Sequence, residues 1–158
     1  MAGSRNSIRL KGVQVEYEWD HVIYGEPASA KNQRRLVRIG GQPRLIKSKK
    51  ALDYQKHFLE QAEPLKLDPL IEGDCALIVD VYYASRRPDL ACVDLIQDLL
   101  QNICYANDRQ VKASQSIWNL DKENPRARIR IRKLNLDSST GLSSFGPFEI
   151  WGETTKQE

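Results

Sequence analysis

The segment Cys75-Ala76-Leu77-Ile78-Val79-Asp80-Val81-Tyr82-Tyr83 constrains the fold more than any other stretch of this chain. It is apolar at almost every position and far shorter than a membrane span, so it reads as a central strand covered on both faces. Glu72-Gly73-Asp74 turns into it, and Ala84-Ser85-Arg86-Arg87-Pro88-Asp89 leaves it with two arginines and a carboxylate. Roughly one helix later, Tyr105-Ala106-Asn107-Asp108-Arg109-Gln110-Val111 leads a second carboxylate into another strand.

The rest of the chain arranges itself around that strand. Trp19–Tyr24 reads as a first strand closed by Gly25 and Pro27, and residues 33–39 as a second, ended by the turn pair Gly40-Gly41. Residues 43–47 return as the other arm of a hairpin. Ser48 is placed as the N-cap of a helix running to about Ala62, with Ala51, Tyr54, Phe58 and Gln61 on one stripe and Pro64 as its stop. The spacing predicts a second helix over about 90–104, burying Val93, Ile96, Leu100 and Ile103 and sharing Asp94, Gln97, Asp98 and Gln101 on its other side. Val111–Leu120 reads as a strand, Asn124-Pro125 as a turn, and 126–132 as the cleanest alternation in the chain. There Ala127, Ile129 and Ile131 face inward, and Arg126, Arg128, Arg130 and Arg132 face outward. With the return arm at 43–47 left uncounted, the order β-β-α-β-α-β-β specifies an α+β fold, a mixed sheet with its two main helices packed largely on one face. One domain over 1–136 accounts for these elements, with 1–17 as a flexible or weakly ordered N-terminal arm and 137–158 as a loosely held C-terminal tail.

Composition narrows the function classes. The 158 residues are 41% hydrophobic and 28% charged, as in an ordinary globular protein. No apolar run approaches the ~18 residues that a membrane span needs, and the N-terminus has no apolar segment of the secretory kind, so a cytoplasmic location is expected. Three cysteines without a CxxC pair and only two histidines leave no zinc-ligand spacing, and the thiols read as core residues. Residues 31–50 hold eight basic side chains and no acidic one. Of these, Lys31, Arg34, Arg35, Lys47, Lys49 and Lys50, joined by Arg86, Arg87 and Lys112 elsewhere, form the candidate surface for the phosphates of DNA. The arginine row at 126–132 is open to two readings, a second DNA-facing stripe or a charged guard on an exposed sheet face.

The acidic residues carry the chemistry. Asp89 sits where it either caps the following helix or serves as a metal ligand. Asp94 and Asp98 lie one helical turn apart, and Asp108 stands among turn residues. If strand 75–83 pairs beside strand 111–120, three or four of these carboxylates are expected to converge. Oxygen ligands so gathered suit Mg²⁺, which activates water and stabilises a leaving oxygen. Acids set among arginines and lysines point to a metal-dependent nuclease.

These segments resemble the RusA family of Holliday junction resolvases over most of residues 20–132. The likeness rests on Gly25-Glu26-Pro27-Ala28-Ser29-Ala30-Lys31-Asn32, on Ile46-Lys47-Ser48-Lys49-Lys50, and on the Gly73-Asp74 turn. More specific are Arg87-Pro88-Asp89-Leu90 and the run from Tyr105 to Val111. The resemblance implies a homodimer that binds four-way DNA junctions and makes paired symmetric cuts with Mg²⁺ or Mn²⁺, and no small-molecule cofactor. It carries the family's carboxylates onto Asp89 and Asp108. Asp94 stands as a replacement ligand and Asp98 matches an acid of the same helix, so Asp89, Asp94, Asp98 and Asp108 form the candidate catalytic set. Asp89, Asp94 and Asp108 are the candidate metal ligands. The chain departs from the pattern in having Ala91 where a second aspartate is expected, no lysine a turn into the helix, and Asn107 for the first acid of a pair. A branched-DNA-binding protein of the same fold with weakened or absent catalysis is the alternative those departures leave open.

Overall fold

The computed structural model describes residues 8–10, 13–29 and 34–134. In chain order the elements are β1 (Ile8–Leu10), β2 (Val13–Val15), β3 (Trp19–Tyr24), β4 (Arg34–Ile39), β5 (Gln42–Lys47), α1 (Lys49–Ala62), β6 (Cys75–Tyr83), α2 (Val93–Leu99), β7 (Val111–Leu120) and β8 (Arg126–Lys133). Four strands make the main sheet in the order β3-β8-β6-β7. β8 runs antiparallel to both β3 and β6, whereas β6 and β7 run parallel. The result is the expected α+β architecture with a mixed sheet.

Strand periodicity decides which side chains meet the helices. Trp19 and Ile23 of β3, Leu77, Val79, Val81 and Tyr83 of β6, and Ala127, Ile129 and Ile131 of β8 form one buried cluster with Ala51, Tyr54, Phe58 and Ala62 of α1 and Leu95, Ile96 and Leu99 of α2. Alternate residues along a strand share a face, so both helices pack on the same face of the sheet. Ser48 caps α1 as expected, its hydroxyl accepting the Ala51 amide at 3.2 Å. Ala62 rather than Gln61 completes the buried stripe. Gln61 instead pairs with the end of β3, accepting from the Tyr24 amide at 2.8 Å and donating to its carbonyl at 2.9 Å.

Three expectations change on contact with the structure. The second helix is shorter than 90–104, because Cys92 is its N-cap residue and regular helix ends at Leu99. Asn102 then takes φ of 65° and its amide bonds the Tyr105 carbonyl at 2.7 Å, a left-handed turn that a helix does not continue through. The N-terminal arm contains the paired strands β1 and β2. The arginine row does occupy the face opposite the helices, but it is not a free stripe. Arg128 bonds Asp20 at 3.0 Å, Arg130 bonds Asp80 at 2.7 Å, and Arg126 bonds Asp121 at 2.7 Å while lying 3.8 Å from the centre of the Tyr82 ring. Asp121 comes from the adjoining turn, whereas Asp20 and Asp80 arrive from strands distant in sequence, which periodicity alone does not reveal. The expected tail over 137–158 lies outside the described residues.

β4 and β5 form a two-stranded ribbon closed by Gly40-Gly41. Both glycines have positive φ, +60° and +79°, as a two-residue turn of the primed kind requires. Among the described residues, no helix is long and apolar enough to cross a membrane.

Candidate active site

The loop after β6 is built against two aromatic side chains. Tyr83, the last residue of β6, donates its hydroxyl to the Asp89 carbonyl at 3.0 Å and lies 3.5 Å from the Cys92 sulfur. Trp118 of β7 donates its indole N–H to the Pro88 carbonyl at 3.0 Å, and the two rings sit 6.0 Å apart. Arg86, Arg87 and Asp89 are exposed along this loop. Asp89 does not cap α2, whose N-cap residue Cys92 makes no side-chain capping bond. Burial pushes the Tyr83 hydroxyl well above its ordinary titration range, and Cys92, Glu26 and Asp89 add to the shift. Glu26, in the segment after β3, thus acts on the same hydroxyl as Asp89.

A second acidic neighbourhood lies at the other end of α2. Asn107 caps a single 3₁₀ turn over Asp108–Gln110, and Gln110 closes the capping box. The Gln110 amide group also donates to the carbonyls of Ile71 at 2.8 Å and Gly73 at 2.9 Å, tying this turn to the entry of β6. Tyr105 donates its hydroxyl to the Gln97 carbonyl at 2.8 Å. Burial raises the pKa of that hydroxyl, and the Cys75 and Cys104 thiols and the Asp108 and Asp98 carboxylates raise it further. Asp98 and Asp108 thus both act on the Tyr105 hydroxyl, and exposed Lys112 is the second residue of β7.

The expected pairing of strands 75–83 and 111–120 is present, but its direction separates the acids. Cys75 pairs with Val111 and Tyr83 with Leu120, both strands running the same way. Asp89 lies beyond the exit of β6 and Asp108 before the entry of β7. The stretch from Cys75 to Val81 alone spans ~20 Å at ~3.3 Å per residue. Asp94 and Asp98 stand exposed on α2 between those ends. Among the described residues, no group of three or more His, Cys, Asp or Glu side chains is placed to hold a metal ion. Mg²⁺ takes near-octahedral oxygen ligands at ~2.1 Å and commonly keeps waters beside one or two carboxylates, so the described residues of one chain offer it single acids rather than a closed acidic cage.

The basic residues take several positions. Lys49 and Lys50 are exposed in the first turn of α1 and line a shallow pocket with Tyr24, Glu26, Asp53 and His57. Arg34 pairs with Lys47 and Arg35 with Ile46 in the backbone register of the ribbon. Lys31 lies outside the described residues. Sequence reasoning missed Glu26, Gln110 and the two aromatic donors. Only the position of Tyr83 at the end of an apolar strand hints at a role, since Trp118 reaches Pro88 across a sheet neighbour that sequence does not display.

A strand–helix–strand unit that exposes carboxylates at both ends of its helix, next to arginines and lysines, is the layout of a protein that acts on a phosphodiester. The comparisons agree with this class. The family model for endodeoxyribonuclease RusA matches residues 25–132. The chain belongs to the RusA endodeoxyribonuclease family. That family implies nuclease action on Holliday junctions, and its resolvases are generally dependent on a divalent metal. No curated protein matches the chain.

Proposed function

We propose that this chain is a junction-resolving endodeoxyribonuclease that works as a homodimer, makes paired nicks across a four-way junction, and requires Mg²⁺ or Mn²⁺. The observation that carries the reading is the parallel pairing of β6 and β7, which leaves an incomplete acidic set at each end of one strand–helix–strand unit. Two matched cuts call for two sites related by a two-fold axis. A second copy turned end for end supplies Asp98 and Asp108 to the Asp89 end of the first, and receives the same in return. Asp89 and Asp108 are the essential acids in this reading, with Asp94 or Asp98 completing the set in place of the acid missing at Ala91. Exposed Arg86, Arg87 and Lys112 meet the phosphate oxygens beside the acids. The Lys and Arg residues of β4, β5 and α1 hold the junction arms through their phosphates.

The test is direct. Purified protein and a labelled four-way junction are incubated with Mg²⁺ or Mn²⁺, and the strands are separated under denaturing conditions. Symmetric nicks that need the metal and vanish in Asp108→Asn support the reading. Junctions that bind, with affinity falling steeply with salt, yet are never nicked favour the second reading, a branched-DNA-binding protein without catalysis. Ala91 and the lack of a three-acid group among the described residues favour that alternative.

A further inference from the structure

We infer that Tyr83 and Trp118 are positioning residues that fix the backbone of Asp89. The inference rests on Asp89 belonging to the acidic set proposed above. The Pro88 carbonyl takes the Trp118 N–H at 3.0 Å, and the Asp89 carbonyl takes the Tyr83 O–H at 3.0 Å. Those two carbonyls belong to the peptide units on either side of the Asp89 α-carbon. Pinning both units fixes φ and ψ of Asp89, and with them the direction in which its side chain leaves the backbone.

The donors are themselves anchored in the core packing. Tyr83 is 2% exposed and packs in the main core, with Trp118 lodged against the same cluster. They come from neighbouring strands in fixed register, Tyr83 opposite Leu120 and Trp118 opposite Val81. The remaining hydrogen bonds of 84–91 among the described residues are local, the Arg87 amide to Ser85 Oγ at 3.5 Å and the Ala91 amide to the Asp89 carbonyl at 2.8 Å. The loop is therefore tied to the sheet by the two aromatic donors. Buried Tyr and Trp need a partner for their polar atom. Here they donate to the two successive carbonyls, of Pro88 and Asp89, that flank the Asp89 α-carbon. Tyr54 gives the contrast, a buried hydroxyl of the same core with no hydrogen-bond partner among the described residues.

The test uses the full chain with Tyr83→Phe, Trp118→Phe and, as control, Tyr54→Phe. Hydrogen exchange read by mass spectrometry should speed up over 84–92 by about three- to tenfold in each of the first two variants, the loss of one net hydrogen bond. It should not change there in Tyr54→Phe. With a four-way junction at saturation, cleavage should slow by about tenfold or more as the acid loses its aim, while junction affinity without metal stays within about twofold of the native chain. Unchanged exchange over 84–92 in both variants overturns the clamp. Faster exchange with native cleavage rates overturns its positioning role. If the native chain never cuts, the proposed nuclease function fails, and exchange alone still decides whether the clamp exists. Two variants on separate strands keep the test decisive if one of them does not fold.

Discussion

Arg130 is 3% exposed and lies 2.7 Å from Asp80, on the sheet face away from the helices. The cross-strand register sets Asp80 opposite Arg128 and Asp20 opposite Arg130, yet each ion pair forms along the diagonal, interlacing three strands. A charge this deep is costly once its partner goes. Asp80→Asn is therefore expected to destabilise the fold by about 3 kcal/mol, read as a lower urea midpoint, and a loss under about 1 kcal/mol contradicts this account. Arg130→Met combined with Asp80→Leu should cost much less than the two single changes together, since it removes both charges. The alternation at 126–132 told which face the arginines share. It did not tell that Asp20, Asp80 and Asp121 would take up three of their charges, because those acids come from other segments.

The thiols make a second prediction at this scale. Burial, with Asp74 and Glu18 adding to it, pushes the Cys75 thiol up to about 12 from an ordinary 9.0. Burial likewise raises Cys92 and Cys104. A group whose folded pKa is raised contributes stability that is complete below the unfolded value and is lost as pH climbs towards the folded one. The unfolding midpoint should thus hold up to about pH 9 and fall between about 9 and 12. Thiol-reactive dye at pH 8 should label these cysteines only under denaturant. Fast labelling of the native chain contradicts the burial of all three.

Among the elements, α1 was the most legible, because cap, stripe and stop all sat in local sequence. Ser48→Ala removes a capping acceptor and should cost about 1 kcal/mol of stability, seen as a lower thermal or urea midpoint. No change implies that the first turn finds another partner. α2 was legible as a helix but not in length. Beyond it Asn102 adopts a left-handed conformation, which Asn tolerates better than most residues, but a single Asn does not fix where a helix stops. The ribbon of β4 and β5 was readable from Gly40-Gly41, whereas the pairing of β1 with β2 was hidden in three-residue strands with the weaker turn signal Lys11-Gly12 between them.

At the level of the whole molecule, a strand, a helix and a strand in succession already favour parallel pairing of the two strands. That direction sends the acid after the first strand and the acid before the second to opposite ends. The sequence displays the order of elements and the acids themselves, but a distance between chain segments emerges only from the folded register. Convergence of Asp89 with Asp108 was therefore the part of the site that local pattern was least able to judge. The central claim, that the working site draws its acids from two copies, is tested most directly by mixing variants. Asp89→Asn and Asp108→Asn should each fail to nick a four-way junction alone. Refolded together, they should regain nicking in one strand per junction, because one of the two sites in the mixed dimer keeps both native acids. A mixture as inactive as either variant alone, with mixed dimers shown to form, contradicts the claim.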